Sequence, residues 1–336
     1  MSDRPVRWGV LGVARIAKSD VIPAITAAEG AEALAVASRD AERARHCAEQ
    51  FEIPRPYGSY EALLSDPDIE AVYIPLPNHL HAETTIAAAR AGKHVLCEKP
   101  MAATADDARR MFDASDRAGV HLMEAFMYRF HPQTRRVLEL LAAGTIGPPR
   151  LVRSSHSFPM HLQDRDDDFR WQEDADGGCL GDLGIYCLDV AQRVFDAPPT
   201  EAWARAEHRP PHSAEAALQG IVSFGTDRAL VFDCSFLDAR QSEYAVTGER
   251  GRITAAMTFH PGRGQDVQIL IESEGDFRLE NIPAADEYRL EVEHFSRCVR
   301  SGTPPEISRH QTLRNLTAAD GLRRAAAAGE RIRLDL

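Results

Sequence analysis

Short apolar runs separated by helix-period segments fill the first third of the chain. Val6 to Leu11, Ala33 to Ala37, Ala71 to Ile74, His94 to Cys97 and His121 to Glu124 read as strands, with helical patterns between them. These runs lack strict alternation, as expected where helices cover both faces of a sheet. Repetition of strand and helix predicts βαβ units, whose right-handed crossovers build a doubly wound parallel sheet.

After about Phe130 the pattern changes. A helix runs to Ala143, Gly147 to Pro149 breaks it, and strands then follow without helices between them. They are predicted at Leu151 to Ser157, Leu218 to Phe224, Ala229 to Phe236, Ser242 to Thr247, Arg252 to Ala255, Val267 to Glu272 and Asp276 to Leu279. Several alternate apolar and polar residues, the period of an antiparallel sheet with one wet face. Further helices are predicted at about Leu183 to Phe195, Glu287 to Ser301 and Gln311 to Ala328, and Asp164 to Asp168 reads as a long surface loop. The fold class is α/β, with a first domain of residues 1–128 and an α+β domain of residues 129–336 on a large, mostly antiparallel open sheet. The last helix is the candidate to pack back on the first domain.

At 336 residues the chain exceeds what one core usually organises, which agrees with two domains. Its start runs straight into a strand without the apolar stretch of a signal peptide, and no apolar run is long enough to span a bilayer, so a cytoplasmic protein without a membrane partner is expected. The net charge of −12 argues against a nucleic-acid partner, which clustered Lys and Arg would bind. Cys47, Cys97, Cys179, Cys187, Cys234 and Cys298 are scattered without metal-ligand spacing, so reduced, buried thiols and no metal site are expected.

Four segments of the first domain carry candidate chemistry. Gly12-Val13-Ala14-Arg15-Ile16-Ala17 joins the first strand to the first helix: Gly12 supplies the turn, Ala14 lets a pyrophosphate approach, and the amides around Arg15 and Ile16 would face it. A Gly-x-Ala-x-x-Ala pattern is also compatible with a plain strand-to-helix turn. The second strand ends in Ser38-Arg39-Asp40, where an NAD enzyme commonly places an acid; a hydroxyl and a guanidinium suit the 2′-phosphate of NADP instead. Arg39 as a solvated cation and Asp40 as a helix cap are the plainer alternatives. After Ile74, Pro75 and Pro77 hold an extended loop in which Asn78 is placed to bond a ribose hydroxyl, while His79 and His81 are either cofactor contacts or helix caps. Lys99, after the run His94 to Glu98, puts a charge at the end of a buried parallel strand, where α/β sheets collect ligands. It is a catalytic candidate or a rim ion pair with Glu98.

In the segment Asp174 to Tyr186, Gly177, Gly178, Gly181 and Gly184 bring backbone close to something, and Asp182 and Tyr186 would project from one helix face. The plain alternative is a capping Asp182 and a core Tyr186. Together, the glycine-spaced turn, Glu98-Lys99-Pro100 and Gly-Gly-x-Leu-x-Asp-Leu-Gly-x-Tyr resemble the glucose-fructose oxidoreductase, inositol dehydrogenase and rhizopine-catabolism (Gfo/Idh/MocA) family over essentially the whole chain. Glu124 to Pro132 looks most like its branch of NADP-dependent D-xylose dehydrogenases and dimeric dihydrodiol dehydrogenases.

The resemblance implies a Rossmann domain, a second domain whose open sheet often forms an oligomer interface, and a homodimer or homotetramer. It makes Lys99 and Tyr186 the catalytic pair with Asp182 beside them, and Gly12, Ala14, Arg15, Ile16, Ser38, Arg39, Pro75, Asn78, His81, Glu98 and Lys99 the cofactor contacts. Arg129 and Arg170 are further neighbours. The activity implied is NADP-dependent hydride transfer to or from a sugar hydroxyl, with D-xylose or D-glucose giving a lactone. The alternatives are reduction of a keto-sugar, including nucleotide-linked 3-keto-sugars, oxidation of a cyclic diol in a pocket lined by Phe126, Phe158, Trp171 and Phe236, and a non-catalytic NADP sensor. A Tyr, with an ordinary pKa near 10, serves as base only where a cation such as Lys99 favours its phenolate.

Overall fold

A computed structural model describes residues 4–163 and 168–334. The first part of the chain runs β1 (Val6–Leu11), α1 (Ile22–Ala27), β2 (Ala31–Ala37), α2 (Ala41–Phe51), β3 (Arg55–Tyr57), α3 (Tyr60–Leu64), β4 (Ala71–Ile74), α4 (His81–Arg90), β5 (His94–Glu98), α5 (Ala105–Ala118) and β6 (Leu122–Ala125). Its strands form one parallel sheet in the order β3-β2-β1-β4-β5-β6. Strand order reverses between β1 and β4, so the loops after β1, β2, β4 and β5 all leave from one edge of the sheet. Every residue of β4 is buried, which explains why its sequence is a continuous apolar run.

The second part continues α6 (Pro132–Ala142), β7 (Pro149–Ser157), α7 (Ile185–Phe195), β8 (Glu201–His208), β9 (Glu215–Ser223), β10 (Ala229–Ser235), β11 (Gln241–Gly248), β12 (Gly251–Ala256), β13 (Val267–Ser273) and β14 (Asp276–Ile282). The chain then forms α8 (Glu287–Ser301), α9 (Arg309–Ala328) and β15 (Ile332–Arg333). The second sheet has the order β14-β13-β12-β11-β7-β10-β9-β8-β15; its pairs are antiparallel except β7 with β10.

Packing divides the chain into two units. One holds the residues up to Ala102, Asp106–Met127 and Asp286–Thr312; the other holds Ala103–Ala105, Tyr128–Ala285 and the chain from Leu313 onward. The helix that returns to the first unit is therefore α8, which packs on α1, β1 and β2, and the sequence had offered the last helix for that role. Trp8 anchors it: the buried indole donates to Ser296 Oγ at 3.1 Å and lies 5.6 Å from the Phe295 ring centre.

β3, β8 and β15 have no counterpart in the sequence reading. β3 has three residues, one of them Pro56, and β15 has two, too few for any period to show. β8 alternates, but Ala202 and Ala204 face inward while Trp203 faces out at 40% exposure, so its bulky apolar residue is on the wrong face for the usual pattern. Of the predicted loop Asp164 to Asp168, positions 164–167 lie outside the described residues; Asp168 caps the short helical turn Phe169–Trp171.

Candidate active site

In the first unit, the turn after β1 is shaped for a phosphate group. Gly12 has φ +126, a backbone conformation that favours glycine, and a Cβ there would come within 2.9 Å of Leu76 Cδ2, which would have to shift. Helical backbone begins at Arg15, and Lys18 N–H is the first to reach back, to Ala14 O at 3.2 Å. The amides before it have no partner in the helix, and Ala14 and Arg15 leave them accessible. These residues fit a dinucleotide pyrophosphate.

At the end of β2, Ser38 is buried and its hydroxyl accepts the Asp40 N–H at 3.2 Å. Asp40 caps α2, accepting from Glu42 N–H at 2.9 Å and Arg43 N–H at 3.2 Å, so its carboxylate is engaged as the capping alternative expected. Arg39 is exposed; burial raises the pKa of the Tyr60 phenol, and Arg39 and Arg43 act against the rise. An edge with a hydroxyl, two guanidiniums and a capped carboxylate fits a phosphorylated ribose.

The loop after β4 buries Pro75 and Asn78 and exposes His79. His81 corrects the sequence reading: it is fully buried, with Nδ1 2.9 Å from Pro100 O and Nε2 2.8 Å from Leu76 O. Both ring nitrogens are spent on backbone, which leaves none for a cofactor. Burial pushes its pKa down, the two carbonyls push it up, and Lys99 pushes it down again.

Lys99 emerges half-buried at the end of β5, as the strand pattern predicts. Glu98 accepts from the Tyr73 hydroxyl at 2.6 Å and from the Lys99 backbone N–H at 3.2 Å. The chain has only three lysines, Lys18, Lys93 and Lys99. Lys93 is buried and donates to Asp66 O and Ile69 O, at 2.7 and 2.9 Å. Glu291 of α8 is buried too, and burial with Glu98 and Glu287 nearby holds its carboxyl well above the usual range.

In the second unit the glycine-rich segment packs on its own surroundings. A Cβ on Gly177 would strike the carbonyls of Phe169, Arg170 and Gln172; one on Gly178, at φ +103, would strike the Glu215 carboxylate, which accepts Leu180 N–H; one on Gly184 would strike Cys234 Sγ. A π-helical turn, Leu180–Gly184, precedes α7 and carries Asp182, where the sequence reading had a plain helix start. Asp182 does not cap. It accepts from Arg170 Nε at 2.8 Å, and Arg170 Nη1 holds Asp168 at 3.1 Å.

Tyr186 is 1% exposed and ringed by Tyr128, His156, Phe259 and His260, with ring centres 5.2 to 5.8 Å away. His156 and His260 were not singled out in the sequence. For His156 a signal existed, since it takes an inward position of β7 otherwise held by Val152 and Ser154. Arg129 is not a ligand group: wholly buried, it pairs with Asp189, donating from Nε at 2.7 Å, while Tyr128 and Asn315 donate to the same carboxylate at 2.6 and 2.8 Å. Trp171, Phe236 and Phe158 form one cluster, with Trp171 stacked on His212 at 4.7 Å. Among the described residues, no three His, Cys, Asp or Glu gather to hold a metal ion, and no helix is long and apolar enough to cross a membrane.

Residues 6–126 match the oxidoreductase family model described as an NAD-binding Rossmann fold, and residues 134–254 match the GFO/IDH/MocA C-terminal domain. The chain belongs to the Gfo/Idh/MocA oxidoreductase family. Among its relatives, D-xylose 1-dehydrogenase (NADP(+)) 2 of Haloferax volcanii is 39% identical over 328 residues, covering 98% of this chain and 99% of that protein. The dTDP-3,4-didehydro-2,6-dideoxy-α-D-glucose 3-reductase of Actinomadura kijaniata is 33% identical, covering 96% of each. The crystal structure of KijD10, a 3-ketoreductase from Actinomadura kijaniata in complex with NADP and TDP-benzene, superimposes with a TM-score of 0.90 at 32% identity, covering 96% of this chain and 98% of that one. As in other Gfo/Idh/MocA proteins, the fold pairs a parallel nucleotide-binding sheet with a mostly antiparallel one.

Proposed function

We propose that this chain is an NADP-dependent dehydrogenase that oxidises the hemiacetal hydroxyl of a pyranose, of the D-xylose or D-glucose type, giving the lactone. The observation that carries the reading is 39% identity along 98% of the chain to a D-xylose 1-dehydrogenase. Arg39 beyond β2, with Asp40 turned into a cap, supports NADP over NAD.

In this reading Gly12, Ala14, Arg15 and Ile16 hold the pyrophosphate, Ser38 and Arg39 the 2′-phosphate, and Pro75, Asn78 and the Glu98–Lys99 turn the nicotinamide end. The bound cofactor supplies the hydride acceptor. The role assigned to Tyr186 is to take the proton of the reacting hydroxyl, that of Lys99 to orient the substrate, and that of Asp182, held by Arg170, to receive a neighbouring sugar hydroxyl. Removing the phenol oxygen tests this. Tyr186→Phe is expected to lower kcat for aldose oxidation at least about 10²-fold with cofactor affinity retained, as loss of a general base does; an unchanged kcat would overturn the assignment.

A second reading has a specific support. The Actinomadura kijaniata relative, similar over 96% of this chain, is a 3-reductase of a dTDP-linked keto-sugar. Self-association in a cytoplasmic setting also belongs to the proposal, since Trp203, Ile221 and Val231 leave an apolar row on the second sheet.

A further inference from the structure

Lys99 sits on a turn without regular secondary structure, yet its neighbours on both sides are pinned to the strand beside it. On one side, the Tyr73 hydroxyl of β4 donates to Glu98 Oε1 at 2.6 Å, and Glu98 Oε2 accepts the Lys99 N–H at 3.2 Å. On the other, His81 bridges Pro100 O, at 2.9 Å, and Leu76 O in the loop that continues β4, at 2.8 Å. Glu124 on β6 adds a third tie, accepting Met101 N–H at 2.9 Å and the Thr312 hydroxyl at 2.8 Å. Tyr73, His81 and Glu124 are all fully buried.

Such ties do more than satisfy buried atoms. The residue they bracket carries a long, flexible ammonium side chain, and a displacement of about 1 Å at a reacting group can cost about 10²-fold in rate. His81 is placed for this work, since with its proton on Nδ1 the buried neutral ring donates to Pro100 O. We propose that Tyr73 and His81 are positioning residues that fix the Lys99 turn from the neighbouring strand, Tyr73 acting through the Glu98 carboxylate and His81 through the Pro100 carbonyl. This rests on the reading of Lys99 as a catalytic group.

Tyr73→Phe, His81→Asn and Lys99→Met, with the double variant Tyr73→Phe/Lys99→Met, separate positioning from plain stability. Measured are kcat and KM for aldose oxidation, NADPH binding by fluorescence, and urea unfolding. Tyr73→Phe and His81→Asn are expected to lower kcat about 10- to 100-fold while NADPH affinity stays within about threefold, and Tyr73→Phe to have no further effect on kcat in the Lys99→Met background. A folded Tyr73→Phe with kcat within about twofold of wild type, or with its full effect retained beside Lys99→Met, would overturn the proposal. Wild-type kcat in Lys99→Met alone would overturn the catalytic reading and the proposal with it.

A readout without turnover completes the test. With three lysines in the chain, reductive ¹³C-methylation gives a resolvable Lys99 resonance, assigned with Lys99→Arg. Tyr73→Phe is expected to shift or broaden that resonance and leave the one from Lys18 in place. Identical Lys99 resonances in the two proteins would contradict a positioning role.

Discussion

Single residues show best how burial separates ligand groups from structural ones. Arg129 and Asp189 are both at 0% exposure, and their pair is completed by Tyr128 and Asn315. Burial alone would raise the Asp189 carboxyl, but the charge of Arg129 and the hydrogen bonds from Arg129, Tyr128 and Asn315 bring it below the usual range. A carboxyl depressed on folding contributes stability that is present above its unfolded pKa, about 3.9, and is lost as the pH falls through the folded value. Asp189→Asn keeps the shape but leaves the guanidinium without its buried counter-charge. It is expected to lower unfolding free energy by about 3–5 kcal/mol at pH 7, with the difference from wild type shrinking in acid below about pH 3.9. A loss under about 1 kcal/mol in urea titrations at pH 7 would contradict this account. Asp189 lies three residues from Tyr186 on α7, so the pair also fixes the helix that carries the proposed base.

Elements were legible where their periodicity was strong and their large apolar residues faced inward. Val6–Leu11 and Ala71–Ile74 appear with the bounds their sequence predicts, and the position of Lys99 at the end of β5 followed from the run before it. The tie from Tyr73 to Glu98 joins residues 25 apart that only strand pairing brings together, so no local pattern records it. The glycines at 177, 178 and 184 were visible, but their reason was not: they admit the Glu215 carboxylate, nearby carbonyls and the Cys234 sulfur, which come from other elements. β8 hid its period because Trp203 points outward, and that same choice exposes a surface. Trp203 pairs with Ile221 and Ile221 with Val231, so the three form a row across β8, β9 and β10, each about 40% exposed. A row of this kind seldom stays bare. Ile221→Arg, on the exposed side of β9, is expected to turn an assembled species into a smaller one in sedimentation at micromolar concentration; a wild-type chain that sediments as a monomer would contradict the proposal of self-association.

At the scale of the whole molecule, the family is settled by matches to both halves of the chain, while the substrate is the step that rests on proposal. The two parts make separate demands. The first sheet's edge offers a glycine turn and Arg39, the groups proposed to select the cofactor; in the second unit Tyr186, on α7, and Asp182 and Arg170, in the turns before it, are the groups proposed to select what is oxidised. The most direct test of the central claim is the rate of reduced-nicotinamide formation by the purified protein with NADP⁺ and, separately, with NAD⁺, across D-xylose, D-glucose, myo-inositol and a cyclic diol. Turnover of an aldose with kcat/KM at least about 10²-fold higher for NADP⁺, the margin of a charge-assisted phosphate contact, is the predicted result. Tight NADPH binding with no turnover of any aldose, or equal use of NAD⁺, would contradict it.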